Sequence, residues 1–327
     1  MDLLVYSGLE FLGDGIIKLP FVRALRQTWP AARITWLAGK GETVYAHALA
    51  PLARTSLDEI IEDADIGSRA AELLNRPLPG RRFDLVIDTQ RRVLTTLILR
   101  RLDTNCFVSG AARFLLSDRR PPSGYQRPAR LIDQLLDLIA IAGGERVLPR
   151  FDVAPGPPWS EAAAEALPAG PVCVGIAPGA GGVHKRWPLE CFIALAEAQH
   201  QAGRRVAVIL GPAERNWREE LQSALPYALF PLQDERVAAA VTASPLYTLA
   251  LGPRLAVAVA NDSGTAHLLA ASGCAMVSLF GPSAAAKFAP AARRLEIIEA
   301  QHFGASEMAA IPLAAVIAAV ERSLADG

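Results

Sequence analysis

The 327-residue chain predicts an α/β protein made of two domains, each a parallel sheet flanked by helices. Three observations carry that expectation. The chain is longer than one ordinary core, since domains cluster near roughly 100–200 residues. Short apolar runs alternate with longer helical patterns in both halves, as βα repetition requires. Between the halves lies Asp152–Pro171, where Pro155, Pro157, Pro158, Pro168 and Pro171 accompany Gly156 and Gly170. Such a stretch holds neither a continuous sheet nor a long helix. The expected layout is a first domain over 1–151, a linker over 152–171 around a short helix Ser160–Leu167, and a second domain over 172–327.

In chain order, the first half offers strands at Leu3–Tyr6, Arg33–Leu37, Phe83–Ile87 and Asn105–Val108. Helices are expected at Gly15–Thr28, Glu42–Leu49, Ile66–Leu74 and Val93–Arg101. Leu131, Ile132, Leu135, Leu136 and Ile139 then share the spacing of one helical face. In the second half the strands are Val172–Ile176, Val206–Leu210, Leu255–Val259 and Ala275–Leu279. The helices are Leu189–Gln201, Ala213–Leu225, Gly264–Ser272 and a final Leu313–Leu324 after Pro312. Sheets of this kind bind ligands outside the carboxyl ends of their strands.

Composition narrows the function classes. The chain is 51% hydrophobic and 20% charged, as soluble enzymes are. Residues 1–150 carry 21 Lys/Arg against 17 Asp/Glu and residues 151–327 carry 12 against 16. That asymmetry is too small for a nucleic-acid binder. Cys106, Cys173, Cys191 and Cys274 lack the close spacing of a zinc or redox motif and read as free thiols in a reducing compartment. The chain opens on the strand-like Leu3-Leu4-Val5-Tyr6 without a basic signal region, and no apolar run approaches a membrane span of about 18 residues. A cytoplasmic location is expected.

Three strand-to-helix junctions hold the chemistry. The first is Gly13-Asp14-Gly15, with Pro20 beyond it. An acid on a glycine-flanked turn at a strand end is placed to point into a cleft, and Asp is equally a good N-cap. Spacing leaves both readings open. The second is Ala177-Pro178-Gly179-Ala180-Gly181-Gly182-Val183-His184-Lys185-Arg186-Trp187-Pro188. A glycine-rich loop, two adjacent cations and a helix start coincide there, which suits a phosphate better than a solvated loop. The third is Asn261-Asp262-Ser263-Gly264-Thr265-Ala266-His267. Capping explains one of its three polar residues but not His267, which alone reads more often as a satisfied structural histidine than as a ligand contact. A carboxylate repels phosphate, so Asp262 suits neutral sugar hydroxyls while the amides of Ser263 and Gly264 meet the phosphates. Together the second and third junctions read as a diphosphate-sugar site.

These residues resemble the signature of the family 9 glycosyltransferases, the bacterial ADP-heptose:lipopolysaccharide heptosyltransferases. The resemblance rests on Gly13-Asp14 with Pro20, Lys185-Arg186-Trp187-Pro188, Leu210-Gly211-Pro212-Ala213-Glu214, and Asn261-Asp262-Ser263-Gly264…His267 followed by Leu279-Phe280-Gly281-Pro282-Ser283. Met308…Ile311…Val316 looks like the family's lead into its last helix. The match runs in order through nearly the whole chain. It implies a GT-B fold, two Rossmann-like domains whose parallel sheets face each other across a cleft, with the final helix 312–325 packing back on the first domain. It further implies inverting transfer of a sugar, heptose favoured, from an ADP-sugar to a lipopolysaccharide-core or related glycan acceptor, without metal or cofactor. Asp14 would be the general base and Lys185 would stabilise the departing diphosphate. Gly13, Gly179, Arg186, Trp187, Glu214, Asp262, Ser263, Gly264 and His267 would bind substrate, Glu214 at the adenosine end.

One segment departs from the family. Its members usually carry a small hydroxyl residue and a cation before Gly-Asp, whereas this chain has Gly8-Leu9-Glu10-Phe11-Leu12. Lys18 and nine arginines between Arg91 and Arg130 are candidates for meeting a phosphorylated acceptor at the inner membrane surface; a solvated face is the competing reading. Two other functions fit the same fold, a nucleotide-sugar epimerase or hydrolase and a non-catalytic nucleotide-sugar-binding partner. A dehydrogenase is disfavoured because no Gly-x-Gly-x-x-Gly follows the first strand.

Overall fold

The computed structural model describes residues 1–147 and 153–325. The chain divides into two compact units, Met1–Pro149 and Arg150–Gly327.

In the first unit, β1 (Asp2–Ser7), β2 (Arg33–Ala38), β3 (Glu59–Ile61), β4 (Arg82–Asp88) and β5 (Asp103–Ser109) form one parallel sheet in the order β3-β2-β1-β4-β5. Its helices are α1 (Leu12–Thr28), the short α2 (Ala50–Ala53), α3 (Val93–Leu99) and α4 (Leu131–Ile141), with α4 against α1. Winding reverses between β1 and β4, the point where such a sheet opens a crevice at its carboxyl ends. The turn carrying Asp14 leaves β1 there. α1 begins at Leu12 rather than Gly15, so Asp14 sits in its first turn, where its Oδ2 accepts from the Phe11 amide at 3.1 Å.

Two expected helices are largely absent. Over Glu42–Leu49 the chain forms turns, because tertiary contacts claim its side chains. Tyr45 donates its hydroxyl to the Gly15 carbonyl at 2.7 Å, and Val44 packs so close that a Cβ at Gly15 would lie 2.2 Å from it. Over Ile66–Leu74 only the 3₁₀ turn Ala70–Leu74 survives. The Glu72 carboxylate accepts from the amides of Gly67, Ser68 and Arg69, which fixes a loop where a helix was expected.

The departing turn before Asp14 turns inward. Glu10 is buried, and its Oε1 accepts from Lys18 Nζ at 2.7 Å and Ser7 Oγ at 2.8 Å. Its Oε2 accepts from Thr43 Oγ1 at 2.7 Å and Trp36 Nε1 at 3.2 Å. The acid is fully hydrogen-bonded, and Lys18, buried as its partner, is not presented to any phosphate. Phe11 and Leu9 on either side are exposed.

In the second unit, β6 (Cys173–Ala177), β7 (Arg205–Val208), β8 (Val257–Asn261), β9 (Met276–Phe280) and β10 (Leu295–Glu299) form a parallel sheet in the order β10-β9-β8-β6-β7. The helices are α5 (Trp159–Ala166), α6 (Leu189–Gln201), α7 (Arg218–Ala224), α8 (Ala239–Thr242), α9 (Pro245–Leu251), α10 (Gly264–Ala271), α11 (Ala285–Phe288) and α12 (Leu313–Ala325). The expected helix Ala213–Leu225 is a 3₁₀ turn, Pro212–Trp217, running into α7.

Strand periodicity divides this core. Val174, Ile176, Val206, Val208, Val257 and Val259 face one layer with Phe192, Leu195, Leu221, Val316 and Val320. The alternate residues Cys173, Ala177, Ala207, Ala258 and Ala260 face the other, and small side chains there let α9 and α10 approach the sheet. The segment expected to link the domains contributes Ala163, Ala166 and Leu167 to this second layer, and α5 packs on α9; residue 152 of that segment lies outside the described residues. The final helix packs on α6, β8, β9 and β10, where its apolar stripe Val316-Ala319-Val320 completes the valine layer. The four cysteines are free.

The Glu10–Lys18 pair yields a stability prediction. Lys18→Met leaves a buried carboxylate without its cation and should cost about 3–5 kcal/mol in urea unfolding. The double variant Glu10→Gln with Lys18→Met should recover much of that loss. A single variant within 1 kcal/mol of the parent, by the same measurement, would show that the pair does not hold the turn.

Candidate functional site

The second unit's winding reverses between β6 and β8, and the two strand ends there carry the Gly179–Trp187 loop and the Asn261–Gly264 turn. Asn261, fully buried, joins them. Its Oδ1 accepts from the Trp187 amide at 3.0 Å and its Nδ2 donates to the Pro178 carbonyl at 2.8 Å. A primary amide has both a donor and an acceptor end, and both are used.

This clamp brings Lys185 to Asp262. Lys185 Nζ donates to Asp262 Oδ2 at 2.7 Å, and the Asp262 side chain is only 10% exposed. Lys185 also lies 5.9 Å from the centre of the Phe288 ring. The neighbouring cation is similarly engaged: Arg186 Nη2 is 3.7 Å from Glu214 Oε1 and 3.3 Å from the Ala180 carbonyl, and the guanidinium lies over the Trp217 ring. Its Nε is buried with no hydrogen-bond partner among the described residues. Burial pushes the Glu214 carboxyl above the usual carboxylate range, with Arg186 pulling the other way. Gly179 and Gly211 flank that carboxylate so closely that a Cβ would lie 2.7 Å from its Cδ at the first and 2.9 Å from its Oε2 at the second. The loops after β6 and β7 therefore meet on Glu214.

Ser263 is the N-cap of α10, its Oγ accepting from Ala266 N at 3.3 Å. That leaves the amides of Gly264 and Thr265 as the helix's orphan donors, and the space beside Gly264 is open. His267, buried, closes the first turn. Trp187 belongs to the core rather than to a ligand surface: it is 1% exposed, donates its indole N–H to the Ile311 carbonyl at 3.0 Å and packs edge-on against Phe192. Of the residues expected to bind substrate, Trp187 is thus one whose side chain anchors the loop.

In the first unit, Gly13 and Asp14 stand half-buried at the β1 crevice. The arginine cluster resolves unevenly. Arg91, Arg100, Arg101 and Arg119 are exposed but tied to Gln134, Asp118, the Asn75 carbonyl and the Ala142 carbonyl; Arg92, Arg113, Arg120 and Arg127 are exposed too. Among the described residues, no group of three His, Cys, Asp or Glu is arranged to hold a metal, and no helix is long and apolar enough to cross a membrane.

Sequence reasoning missed Asp88, the last residue of β4. Fully buried, it accepts from Thr96 Oγ1 at 2.7 Å, Ser109 Oγ at 2.8 Å and the Gln90 amide at 2.8 Å. It fixes the β4–α3 turn beside the Asp14 turn, where a Cβ at Gly8 would come within 3.2 Å of Gln90. An acid directly after the apolar run Leu85-Val86-Ile87, next to the switch point, is the available signal.

A family model, glycosyltransferase family 9 (heptosyltransferase), matches residues 73–311, a stretch that includes Lys185, Glu214 and Asp262 and begins after Asp14. No curated protein matches the chain. Among solved structures, a family 9 glycosyl transferase from Veillonella parvula superposes with a TM-score of 0.71 at 19% identity, covering 100% of this chain and 97% of that one. E. coli ADP-heptose LPS heptosyltransferase II gives 0.65 at 18% identity over 100% and 99%. E. coli heptosyltransferase WaaC, solved with ADP, gives 0.67 at 17% over 99% and 100%. Those likenesses give the fold as GT-B.

Burial raises the Asp88 carboxyl to about 6, from 3.8 for a free group. The folded state thus holds its proton more tightly than the unfolded chain does. The associated stability is present below about pH 4 and lost as pH rises through about 6. Asp88→Asn removes this dependence. Its stability relative to the parent should rise across that window and level off above it, in urea titrations at a series of pH values. A difference that stays flat throughout would contradict the burial argument.

Proposed function

The chain belongs to glycosyltransferase family 9, and from that premise we propose that it moves a sugar, heptose favoured, from an ADP-sugar to a lipopolysaccharide-core or related glycan acceptor. It is a glycosyltransferase of heptosyltransferase-like type. The observation that carries the donor assignment is the Asn261 clamp, which gathers a glycine loop, Lys185, Arg186 and the α10 N-terminus at the adjacent ends of β6 and β8. Cations and orphan amides together attract a diphosphate.

In this reading the reaction is an inverting displacement. Asp14 removes the proton from an acceptor hydroxyl as that oxygen attacks the anomeric carbon, and the diphosphate leaves from the opposite face. The Phe11 amide holds one Asp14 oxygen, which orients the carboxylate for the transfer. Lys185 and the α10 amides take up the charge growing on the departing diphosphate, so the chemistry needs no metal. Glu214 accepts from hydroxyls at the adenosine end, supported by its burial against Gly179 and Gly211. His267 and Asp262 orient the sugar. The exposed Arg92, Arg113, Arg120 and Arg127 meet a phosphorylated glycolipid acceptor, which brings the enzyme to the inner face of the cytoplasmic membrane.

The defining test is ADP release from ADP-heptose that depends on a truncated lipopolysaccharide core; no release with any core acceptor would refute the assignment. Asp14→Asn should retain ADP binding by calorimetry while transfer falls on the order of 10²-fold or more. Near-parental turnover would remove Asp14 as the base. Transfer should also be unchanged by excess EDTA, and a loss restored by added divalent cation would overturn the metal-free mechanism.

A further inference from the structure

We propose that Asp262 is a resident counter-anion for Lys185, which passes from Asp262 to the donor diphosphate on binding and returns when ADP is left behind. The inference rests on the donor-site reading and adds to it a means of telling donor from product.

The pair is short, 2.7 Å, and Asp262 is nearly buried. Asp262 directly precedes the Ser263 N-cap, so its charge also lies at the positive end of α10. The carboxylate therefore sits among the groups that would bind a phosphate, Lys185 and the first amides of α10. A diphosphate and Asp262 compete for one ammonium group. Lys185 is the mobile member, with a side chain 32% exposed on a flexible stem, whereas the backbone under Asp262 is fixed by its amide bond to the Leu279 carbonyl at 3.2 Å.

The exchange has a cost. Once Lys185 turns to the diphosphate, Asp262 is left as a nearly buried carboxylate beside a like charge, which is unfavourable unless a new donor reaches it. A sugar hydroxyl of the bound donor is such a group. ADP brings the phosphates and, at the Glu214 end, the ribose, but not the transferred sugar, so with ADP the Asp262 carboxylate goes unsatisfied. Asp262 thus favours the intact donor and, after transfer, draws Lys185 back and weakens the hold on ADP. Arg186 is less suited to this part, since its guanidinium is stacked on Trp217 and shared with the Ala180 carbonyl.

Calorimetry with ADP and ADP-heptose, without acceptor, tests the exchange. The parent should bind ADP-heptose on the order of tenfold tighter than ADP, although ADP carries the greater negative charge. Asp262→Asn should bind ADP on the order of tenfold tighter than the parent does and lose most of the preference for ADP-heptose. A folded Asp262→Asn that binds ADP no tighter than the parent overturns the exchange. If that variant does not fold, equal affinity of the parent for the two ligands overturns it instead. A parent that binds neither ligand at millimolar concentration refutes the donor-site reading itself, and the exchange with it.

Discussion

Asn261 is the constraint on which the second unit's site depends. It ends β8 fully buried and spends both ends of its amide on a loop leaving a different strand, accepting from Trp187 and donating to Pro178. Asp at this position would lose the donor and bury an unpaired charge, and an apolar residue would strand two backbone groups. The clamp fixes the loop at the two points that bracket Gly179 to Arg186. Lys185 and Arg186 are then held over neighbouring strand ends, one against Asp262 and the other against Glu214. The site's charge arrangement is thus a consequence of backbone hydrogen bonding.

The first unit solves a different problem at the matching place in its own sheet. The turn before Asp14 lacks the cation usual in family 9 and carries Glu10 instead. The structure absorbs that acid completely, giving it Lys18 from α1, Ser7 from β1, Trp36 from β2 and Thr43 from the following loop. Four elements meet on one carboxylate, and the turn that presents Asp14 is anchored on both sides of the base. The side chains left outside are Leu9 and Phe11, so the surface nearest Asp14 has become apolar where the family pattern would make it basic.

Much of this was legible in the sequence, for identifiable reasons. The central strands announce themselves because a doubly covered parallel sheet needs continuous apolar runs, and Leu3–Tyr6 or Val257–Val259 are such runs. Two edge strands, β3 and β10, do not, being a three-residue Glu59–Ile61 and a Leu295–Glu299 in which only Ile298 is buried. The Glu42–Leu49 segment has helical spacing, but Thr43 and Tyr45 are bound to Glu10 and Gly15 instead. The candidate site was found as two separate glycine- and charge-rich junctions. That Lys185 ends on Asp262, 77 positions away, is a matter of sheet order, which local pattern does not encode. The final helix is limited in the same way: its apolar stripe states that a helix packs, not on which strands.

The structure also separates the family signature into parts that hold the site and parts that can act in it. Trp187 looks chemical in sequence, set beside two cations, yet its indole is buried and bound to Ile311, itself one of the residues leading into the last helix. Gly281 allows Met308 and Ser306 to pack where a Cβ would come within 2.7 Å and 2.9 Å. These residues form one joint between the loop after β6, the loop after β9 and the approach to α12. Lys185, Arg186, Asp262 and Glu214 remain as the charged set, two cations each facing one carboxylate. In the donor-site reading a diphosphate draws on the free amides of α10 and on two cations, each of which it must share with a carboxylate already in place. Under that reading selectivity rests on what the displaced carboxylates gain in return, and among the groups of a nucleotide-sugar it is the hydroxyls of the ribose and of the transferred sugar that can supply it.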